Sequence, residues 1–317
     1  MNDIRKSVIN RKTIVETTTT PNFHTMKPLE KIEKVKVLLP VFSGTNCDYD
    51  TARAFEEEGA EAQIFVFRNL NEKEINTSID EMSHLIDRSH ILALSGGFSA
   101  GDEPDGSGKF IANVLNHPKI KSSIEKLLKK NFLILGICNG FQALIKSGLL
   151  PFGRIGAVTP DSPTLTRNDI NRHVSHITKT VVISCQSPWL RSFCEGEIHQ
   201  IAVSHGEGKF VANEQTVEQL FKNRQIAFLY CDFEGNPTMA KEHNPNGSLY
   251  AIEGILSDCG KILGKMGHSE RKGENLYKNI SGNKEMNIFR NAVEYLTFSC
   301  SFEEGKKNNL IMNNKVI

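Results

Sequence analysis

One short run constrains the fold and the chemistry of this 317-residue chain more than any other: FLILGICNGFQ, residues 132–142. Its four leading apolar residues predict a buried strand, and the residues from Phe141 onward predict a helix. A nucleophile held on a sharp turn between strand and helix forms a nucleophile elbow. Cys138 occupies the nucleophile's position, and Gly136 and Gly140 flank it because such a strained turn leaves no room for side chains.

The position of Cys138 at a helix start also suits it to nucleophilic chemistry. The unpaired amide groups and the positive end of the helix dipole both favour thiolate over thiol. The seven cysteines are scattered along the chain and show no zinc-type pairing. Cysteines in this arrangement favour a reducing compartment over a disulfide framework. The other six lack an elbow, and we expect them to be structural.

Composition excludes several classes of protein. Lys and Arg number 38 against 37 Asp and Glu, a balance that argues against nucleic acid as the partner. No apolar run is long enough to span a bilayer, and the N-terminus has no apolar signal segment. The sequence therefore predicts a cytoplasmic protein that binds neither nucleic acid nor membrane.

Short apolar runs alternate with helical patterns through the first half of the chain. The predicted strands are residues 35–42, 64–67, 91–94 and 132–135, and the helices between them are 52–58, 108–115 and 120–130. This alternation predicts an α/β fold, a doubly wound and mostly parallel sheet with helices on both faces.

The second half of the chain has a different sequence pattern. Its strand-like runs, at 181–184, 198–203, 226–230 and 249–255, are separated by Gly, Asn and Pro, and a hairpin-type turn is predicted at 244–247. We expect an antiparallel extension of the sheet here, closed by a helix over residues 287–296. Residues 1–33 are predicted to be a flexible extension or linker, 34–297 the folded domain, and 298–317 a polar tail.

A second glycine-rich turn, SGGFSAGD at 95–102, follows the third predicted strand as the elbow follows the fourth. In a parallel sheet both turns lie at the carboxyl edge of the strands, where active sites of such folds form. The backbone amides of Gly97 and Asn139 are therefore candidate oxyanion donors for an intermediate on Cys138.

A thiolate nucleophile needs a base, and the base needs an orienting group. If the strand before Gly267 continues, His268 and Glu270 project from the same face because side chains alternate with period two. His205, in VSHGEG, is a rival base that the pattern leaves open. His173 and His176 are spaced for a metal pair, but no third ligand accompanies them, and we predict no metal site.

Five motifs together carry a resemblance to a known family. They are SGGFSAGD (95–102), GICNGFQ (136–142), VSHGEG (203–208), NPNGS (244–248) and GHSER (267–271). From about residue 35 to 296 the chain resembles the class I, or triad, glutamine amidotransferase domain of phosphoribosylformylglycinamidine synthase. One departure is Gly-His-Ser-Glu-Arg where many members read Pro-His-Pro-Glu-Arg, which leaves the triad positions intact and bears on subfamily.

The resemblance implies a role for each candidate residue. Cys138 is implied to be the nucleophile, His268 the base and Glu270 its orienting carboxylate. Gln142 is implied to help hold the glutamine substrate, with the Gly97 and Asn139 amides as the oxyanion hole. His205 lies outside the implied triad, and we expect it at the rim of the pocket or at the contact with a synthetase.

The implied activity is hydrolysis of L-glutamine to glutamate and ammonia through a cysteine thioester. The ammonia would pass to an ATP-dependent synthetase of de novo purine biosynthesis. No cofactor is expected in this chain, and ATP and Mg²⁺ are expected in the synthetase, which is either a separate subunit or another part of a longer chain. A stand-alone cysteine hydrolase or peptidase, or a non-catalytic scaffold subunit, are the alternative functions.

Overall fold

The computed structural model describes residues 27–30, 32–101 and 106–297. The predicted N-terminal extension therefore lies largely outside the described residues, and the predicted tail, 298–317, lies entirely outside them. At the end of the extension that is described, the Leu29 amide donates to the Lys130 carbonyl at 3.3 Å. The domain boundaries at 33 and 297 remain predictions.

Strands and helices alternate through the first half of the described chain. The strands are β1 (Lys36–Val41), β2 (Glu61–Val66), β3 (Ile91–Leu94), β4 (Leu133–Ile137), β5 (Thr164–Arg167), β6 (Val174–Val182), β7 (Ile198–His205), β8 (Glu207–Val211), β9 (Ile226–Cys231), β10 (Ile252–Leu256) and β11 (Ile262–Lys265). The helices are α1 (Asp48–Glu56), α2 (Glu72–Asp87), α3 (Lys109–Leu115), α4 (Pro118–Lys129), α5 (Asn139–Ser147), α6 (Leu149–Phe152), α7 (Glu214–Lys222) and α8 (Ile288–Thr297).

Nine of the described strands form one sheet in the order β2-β1-β3-β4-β11-β10-β9-β6-β7. The first five of that order pair in parallel, and the remaining neighbours pair antiparallel. Only β10 and β6 are reversed, so seven of these nine strands point the same way. The structure confirms the predicted mostly parallel sheet with an antiparallel extension.

The central strands are buried on both sides, as parallel strands between helical layers must be. Leu38 of β1, Ile134 of β4 and Leu263 of β11 are each 0% exposed. The chain moves one way across the sheet from β1 to β2 and the opposite way from β2 to β3. Because such crossovers are right-handed, α1 and α2 lie on opposite faces. The Phe55 and Phe289 rings, 4.9 Å apart, join α8 to α1.

The reversal of strand order between β1 and β3 fixes where a site can form. There the loops that follow the two strands meet: the Phe98 amide donates to the Gly44 carbonyl at 2.9 Å, and the Asn46 amide donates to the Gly96 carbonyl at 3.2 Å. The elbow after β4 lies at the same edge, next to β3. The fold thus gathers three loops at one place.

Three features differ from the sequence expectation. Helix α2 was not predicted, although Asn71 caps it by accepting from the Glu74 amide at 3.0 Å. Strands β5 and β8 form a separate two-stranded sheet that was not predicted either. Residues 244–247 do not make a tight hairpin: β9 and β10 pair, but the connection between them spans residues 232–251.

Among the described residues, no helix combines the length and the apolar character needed to cross a bilayer.

Candidate active site

The elbow is built as the sequence predicts. Strand β4 ends at Ile137, α5 begins at Asn139, and Cys138 between them has φ 51° and ψ −105°. A positive φ on a residue with a side chain is strained and persists only where the surroundings enforce it. One such restraint is the Cys138 amide, which donates to the Lys265 carbonyl of β11 at 2.9 Å. The Cys138 side chain is 4% exposed.

Strand β3 and the start of α5 leave no space for side chains at the two glycines of the elbow. A Cβ added to Gly140 would lie 2.0 Å from the Leu94 carbonyl oxygen of β3, and one added to Gly136 would lie 2.7 Å from the Gly140 carbonyl carbon. Both distances are far inside van der Waals contact. The two glycines therefore allow β3, β4 and the start of α5 to approach closely enough to hold Cys138 in its strained conformation.

The structure brings His268 and Glu270 together just beyond β11. Their side chains project to the same side, and His268 Nδ1 lies 2.5 Å from Glu270 Oε1. The His268 amide donates to the Ala202 carbonyl of β7 at 2.8 Å, which fixes the backbone before the pair. His268 is 2% exposed and Glu270 is 0% exposed.

Burial of this pair and attraction within it act in opposite directions on protonation. Burial disfavours the charged imidazole, but the Glu270 carboxylate, with contributions from Cys138 and Cys47, outweighs it and raises the pKa of His268 well above its ordinary value. Burial likewise opposes the charged form of Glu270, and the His268 charge overcomes it and lowers the pKa of Glu270. His268 is therefore held as imidazolium against a carboxylate at neutral pH.

Gly96 shows how closely Cys138 and His268 approach. A Cβ added to Gly96 would lie 2.8 Å from His268 Cε1, 3.3 Å from Cys47 Sγ and 3.4 Å from Cys138 Cβ. Glu270 occupies His268 Nδ1, whereas Nε2 is buried and has no hydrogen-bond partner among the described residues. Nε2 is thus the nitrogen that can exchange a proton with a reaction on the Cys138 sulfur.

Cys47 is a site neighbour that the sequence reasoning missed, because it was expected to be merely structural. It is 2% exposed, and its Sγ lies 3.8 Å from His268 Nδ1. The Arg271 guanidinium donates to the same sulfur at 3.4 Å. The available signal was topological: Cys47 follows β1, whose carboxyl end lies at the same sheet edge as the elbow.

Cys47, His268 and Glu270 are also the residues that could hold a metal. One ligand atom from each lies within 4.8 Å of the other two, and all three residues are buried. A metal ion there would have to displace the hydrogen bond between Nδ1 and Glu270 Oε1. His173 is not in this group; its Nε2 lies 3.1 Å from Ser204 Oγ.

The two predicted oxyanion donors lie on the loops that the fold brings to this edge. Gly97 has φ 149° and forms a β-bridge with Thr45. The amides of Phe98 and Asn46 donate the hydrogen bonds of this bridge, so the Gly97 amide takes no part in them. A Cβ on Gly97 would lie 2.6 Å from Thr45 Cα, so only glycine fits. The Asn139 amide follows the nucleophile at the first position of α5.

Gln142 lies one helical turn after Cys138 and is 3% exposed. Its side-chain amide donates to the Glu207 carbonyl, and its Oε1 accepts from Asn139 Nδ2 at 3.0 Å. The structure therefore shows Gln142 joining the elbow to β8. Contact of Gln142 with a substrate remains a prediction.

His205, the rival base, ends β7 and is 2% exposed. Its Nδ1 lies 3.2 Å from Asn168 Oδ1, an acceptor, so Nδ1 carries the proton. Burial lowers the pKa of His205 to about 3, and the nearby His268 and His173 add to this effect. A histidine with this pKa is a poor base at neutral pH, and a buried ring does not present itself to a partner's surface. The geometry favours His268 as the base.

Comparisons with known proteins identify the family of this chain. A family model for the CobB/CobQ-like glutamine amidotransferase domain matches residues 34–296. The chain belongs to this glutamine amidotransferase family. This confirms the resemblance that the five motifs indicate.

Two curated relatives match this amidotransferase over most of its length and nearly all of their own. Phosphoribosylformylglycinamidine synthase subunit PurQ of Methanococcus maripaludis is 34% identical, with 82% of this chain and 97% of the relative covered. The PurQ subunit of Chlorobium chlorochromatii is 31% identical, with 78% and 93% covered.

Solved structures give the same answer for the fold. The structure of PurLQS from Thermotoga maritima contains a chain that is 26% identical, with a TM-score of 0.60, and the match covers 83% of this chain and 99% of that one. The glutaminase domain of Trypanosoma brucei CTPS with bound acivicin is 11% identical with a TM-score of 0.51, which supports the fold alone.

Proposed function

We propose that this amidotransferase is the glutaminase component of phosphoribosylformylglycinamidine synthase and supplies ammonia for purine biosynthesis. The observation that carries the proposal is the convergence of Cys138, His268 and Glu270 at the carboxyl edge of the sheet. The matches to PurQ subunits over most of their length and to a chain of PurLQS support the choice of this synthase.

The first half of the reaction acylates Cys138. Its thiolate attacks the side-chain amide carbon of glutamine, and the developing oxyanion is stabilised by the Gly97 and Asn139 amides. Loss of one such donor typically costs about 3 kcal/mol of transition-state stabilisation. Protonated His268 donates its Nε2 proton to the leaving nitrogen, so that ammonia departs and a glutamyl thioester remains on Cys138.

The second half releases glutamate. His268 has given up its proton, and its Nε2 now accepts one from a water molecule that attacks the thioester carbonyl. Collapse of the second tetrahedral intermediate breaks the carbon–sulfur bond and regenerates the thiolate. Glu270 stabilises the imidazolium each time it forms, in the manner of other catalytic triads.

Ammonia released to water at neutral pH is mostly protonated and loses its nucleophilicity. We therefore place its use in a partner synthetase that converts formylglycinamide ribonucleotide to the amidine, with ATP and Mg²⁺ bound by that partner. We also place the reaction in the cytoplasm. In support, the six cysteines among the described residues are all free thiols, as a reducing compartment requires.

The direct test is a comparison of nitrogen sources in the complex with the synthetase. Cys138→Ala should abolish amidine synthesis from glutamine and spare synthesis from added ammonium, because only the first requires the thiolate. Purified alone, the wild-type chain should release glutamate more slowly than it does with the synthetase. Loss of both activities in a correctly assembled complex would contradict the proposal.

The two alternatives make different predictions. A stand-alone hydrolase or peptidase would cleave peptides without the synthetase and would not respond to it. A scaffold subunit would leave Cys138 unlabelled by a glutamine-like electrophile, whereas our proposal expects selective labelling there.

A further inference from the structure

A buried ion pair lies beside Gly267, the residue that precedes the candidate base. Lys265, the last residue of β11, and Glu253 of β10 are both 0% exposed, and Lys265 Nζ lies 3.2 Å from Glu253 Oε1. Glycine at position 254 of the neighbouring strand β10 leaves room for the lysine, because a Cβ there would lie only 2.9 Å from Lys265 Cβ. The ammonium also lies 5.4 Å from the centre of the Phe228 ring.

Both members of the pair bind the same residue, Gly267. The Gly267 amide donates to Glu253 Oε1 at 2.6 Å, and Lys265 Nζ donates to the Gly267 carbonyl at 2.8 Å. Charge-assisted hydrogen bonds of this kind are stronger than those between neutral groups. Together they restrain Gly267 at both its amide and its carbonyl, immediately before His268.

Gly267 needs such a restraint because it has none of its own. Glycine has the greatest backbone freedom of any residue. No side chain can be added to limit it, since a Cβ would lie 2.4 Å from Ile201 Cγ1 and 2.8 Å from Glu253 Oε1. The conformation before His268 must therefore be held by hydrogen bonds from other residues, Lys265 of β11 and Glu253 of β10.

Stability does not account for the pair. Removing two charges from water costs about as much as their attraction returns, and well-packed apolar residues often serve stability better. Glu253 Oε2 is buried and has no hydrogen-bond partner among the described residues, which adds to the cost. What the pair does provide is fixed geometry. The Lys265 carbonyl also accepts from the Cys138 amide. Lys265 therefore binds the backbone of Cys138 and the backbone just before His268.

We propose that Lys265 and Glu253 are positioning residues. By binding the carbonyl and the amide of Gly267, they form a clamp that sets the distance between His268 Nε2 and the Cys138 sulfur. The proposal rests on the proposed function only in taking His268 as the base that serves Cys138. A misplacement of a catalytic group by about 1 Å can cost about 100-fold in rate. Loss of the clamp should therefore lower the rate of chemistry without weakening glutamine binding.

The test replaces both members together, so that no buried charge is left alone. Lys265→Met with Glu253→Gln keeps the side-chain volumes and removes the donor to the Gly267 carbonyl. In the complex with the synthetase, we expect kcat for glutamine hydrolysis to fall about 10-fold to 100-fold, with KM changed less than about threefold. The rate of Cys138 alkylation by iodoacetamide at neutral pH, resolved by mass spectrometry, should fall about 10-fold.

Two further variants separate positioning from stability. Ser187→Ala removes a buried 2.7 Å hydrogen bond to the Gly260 carbonyl, just before the other end of β11, and should lower the unfolding temperature while leaving kcat and alkylation unchanged. Glu253→Gln alone removes the counter-charge of Lys265, which costs stability, but it leaves the lysine bond to the Gly267 carbonyl and weakens the bond from the Gly267 amide. In the folded protein it should lower kcat and alkylation by about threefold, which gives a second measurement of the clamp.

The outcomes are distinct. If either clamp variant is folded and matches the wild type in kcat and in Cys138 alkylation, the proposal is overturned and the pair is purely structural. Alkylation does not depend on glutamine as the substrate. A wild-type chain that releases no glutamate would therefore count against the proposed function, while the alkylation comparison would still decide on the clamp.

Discussion

At the scale of single residues, the proposed mechanism depends on the charge state of His268. Its Nδ1 is bound by a buried carboxylate at 2.5 Å, which holds the ring in one orientation and stabilises its proton. Its pKa is raised because this attraction exceeds the cost of burial. In the proposed mechanism this protonated ring acts as an acid toward the leaving nitrogen and afterwards as a base toward water.

Replacement of the carboxylate tests this electrostatic role. In Glu270→Gln the amide keeps the size of the side chain but not its charge, so the pKa of His268 should fall and the imidazolium should be lost at neutral pH. We expect kcat for glutamine hydrolysis to fall roughly 100-fold or more. Glu58→Gln, which removes a carboxylate that binds Lys272 and Arg290, is the control and should retain full activity. Wild-type kcat in Glu270→Gln would rule out the role.

The three residues of the proposed triad, Cys138, His268 and Glu270, could be singled out from the sequence because each has a local pattern, and their catalytic roles remain predictions. Cys138 stands between two glycines at a strand–helix junction, and His268 and Glu270 follow the period of a strand. Cys47 and the ion pair of Lys265 with Glu253 have no such pattern. Their partners come from other loops and strands, and their pairing depends on a register that the sequence does not display.

At the scale of elements, the elbow depends on close packing between β3 and the start of α5. The Leu94 carbonyl oxygen occupies the space that a side chain at position 140 would need. Any displacement of α5 to relieve such a clash would move Cys138, because the cysteine directly precedes that helix at its N-cap position. Stability and the placement of Cys138 are therefore coupled at this contact.

Gly140→Ala measures this coupling. The added methyl group would lie 2.0 Å from a backbone oxygen, which cannot move without disturbing β3, so we expect destabilisation of about 2 kcal/mol or more. Gly206→Ala is the matched control, since a Cβ there meets no atom within 4 Å, and its free energy of unfolding should change by about 0.5 kcal/mol or less. Urea unfolding gives both values. Equal stability of the two variants would show that the contact is not tight.

The elements that were not predicted are the ones whose signals are weak or non-local. Helix α2 has a cap at Asn71 and buried residues at Ile79, Met82 and Ile86, a periodicity that a window scan could have found. Strands β5 and β8 are short and pair across residues 164–211, and a strand of four residues has little pattern of its own. Long-range pairing of this kind is fixed by the completed fold.

At the scale of the whole molecule, buried His205 links folding to pH. Its pKa is about 3 in the folded protein, whereas an unfolded histidine has its ordinary value near 6.5. Between these values the unfolded chain binds a proton that the folded chain excludes. Stability from this group is therefore complete above the unfolded pKa and is lost as pH falls toward 3.

His205→Asn should remove this pH dependence. The asparagine amide can still donate to Asn168 but does not titrate. From pH 7 to pH 5 the wild type should lose about 2 kcal/mol more stability than the variant, because one extra proton binds its unfolded state. Urea unfolding of both proteins at the two pH values measures the difference. Parallel pH profiles would show that His205 is not buried as a neutral group.

The architecture as a whole follows from patterns that span the chain. Alternating apolar strands and helices predict the doubly wound sheet, and the two glycine-rich turns predict the edge where the site forms. The order of the strands beyond β4 could not be predicted, because β11 pairs with β4 although residues 138–261 separate them. That pairing is what brings His268 to Cys138.

The central claim is that Cys138 forms the glutamyl thioester with His268 as its base. The most direct measurement is rapid acid quenching of the chain, in complex with the synthetase, during turnover of glutamine, followed by mass spectrometry of its cysteine peptides. The account predicts a glutamyl adduct on Cys138, the same adduct in Cys47→Ala, and none in Cys138→Ala. A glutamyl adduct on Cys47, or continued glutamate release by Cys138→Ala, would contradict it.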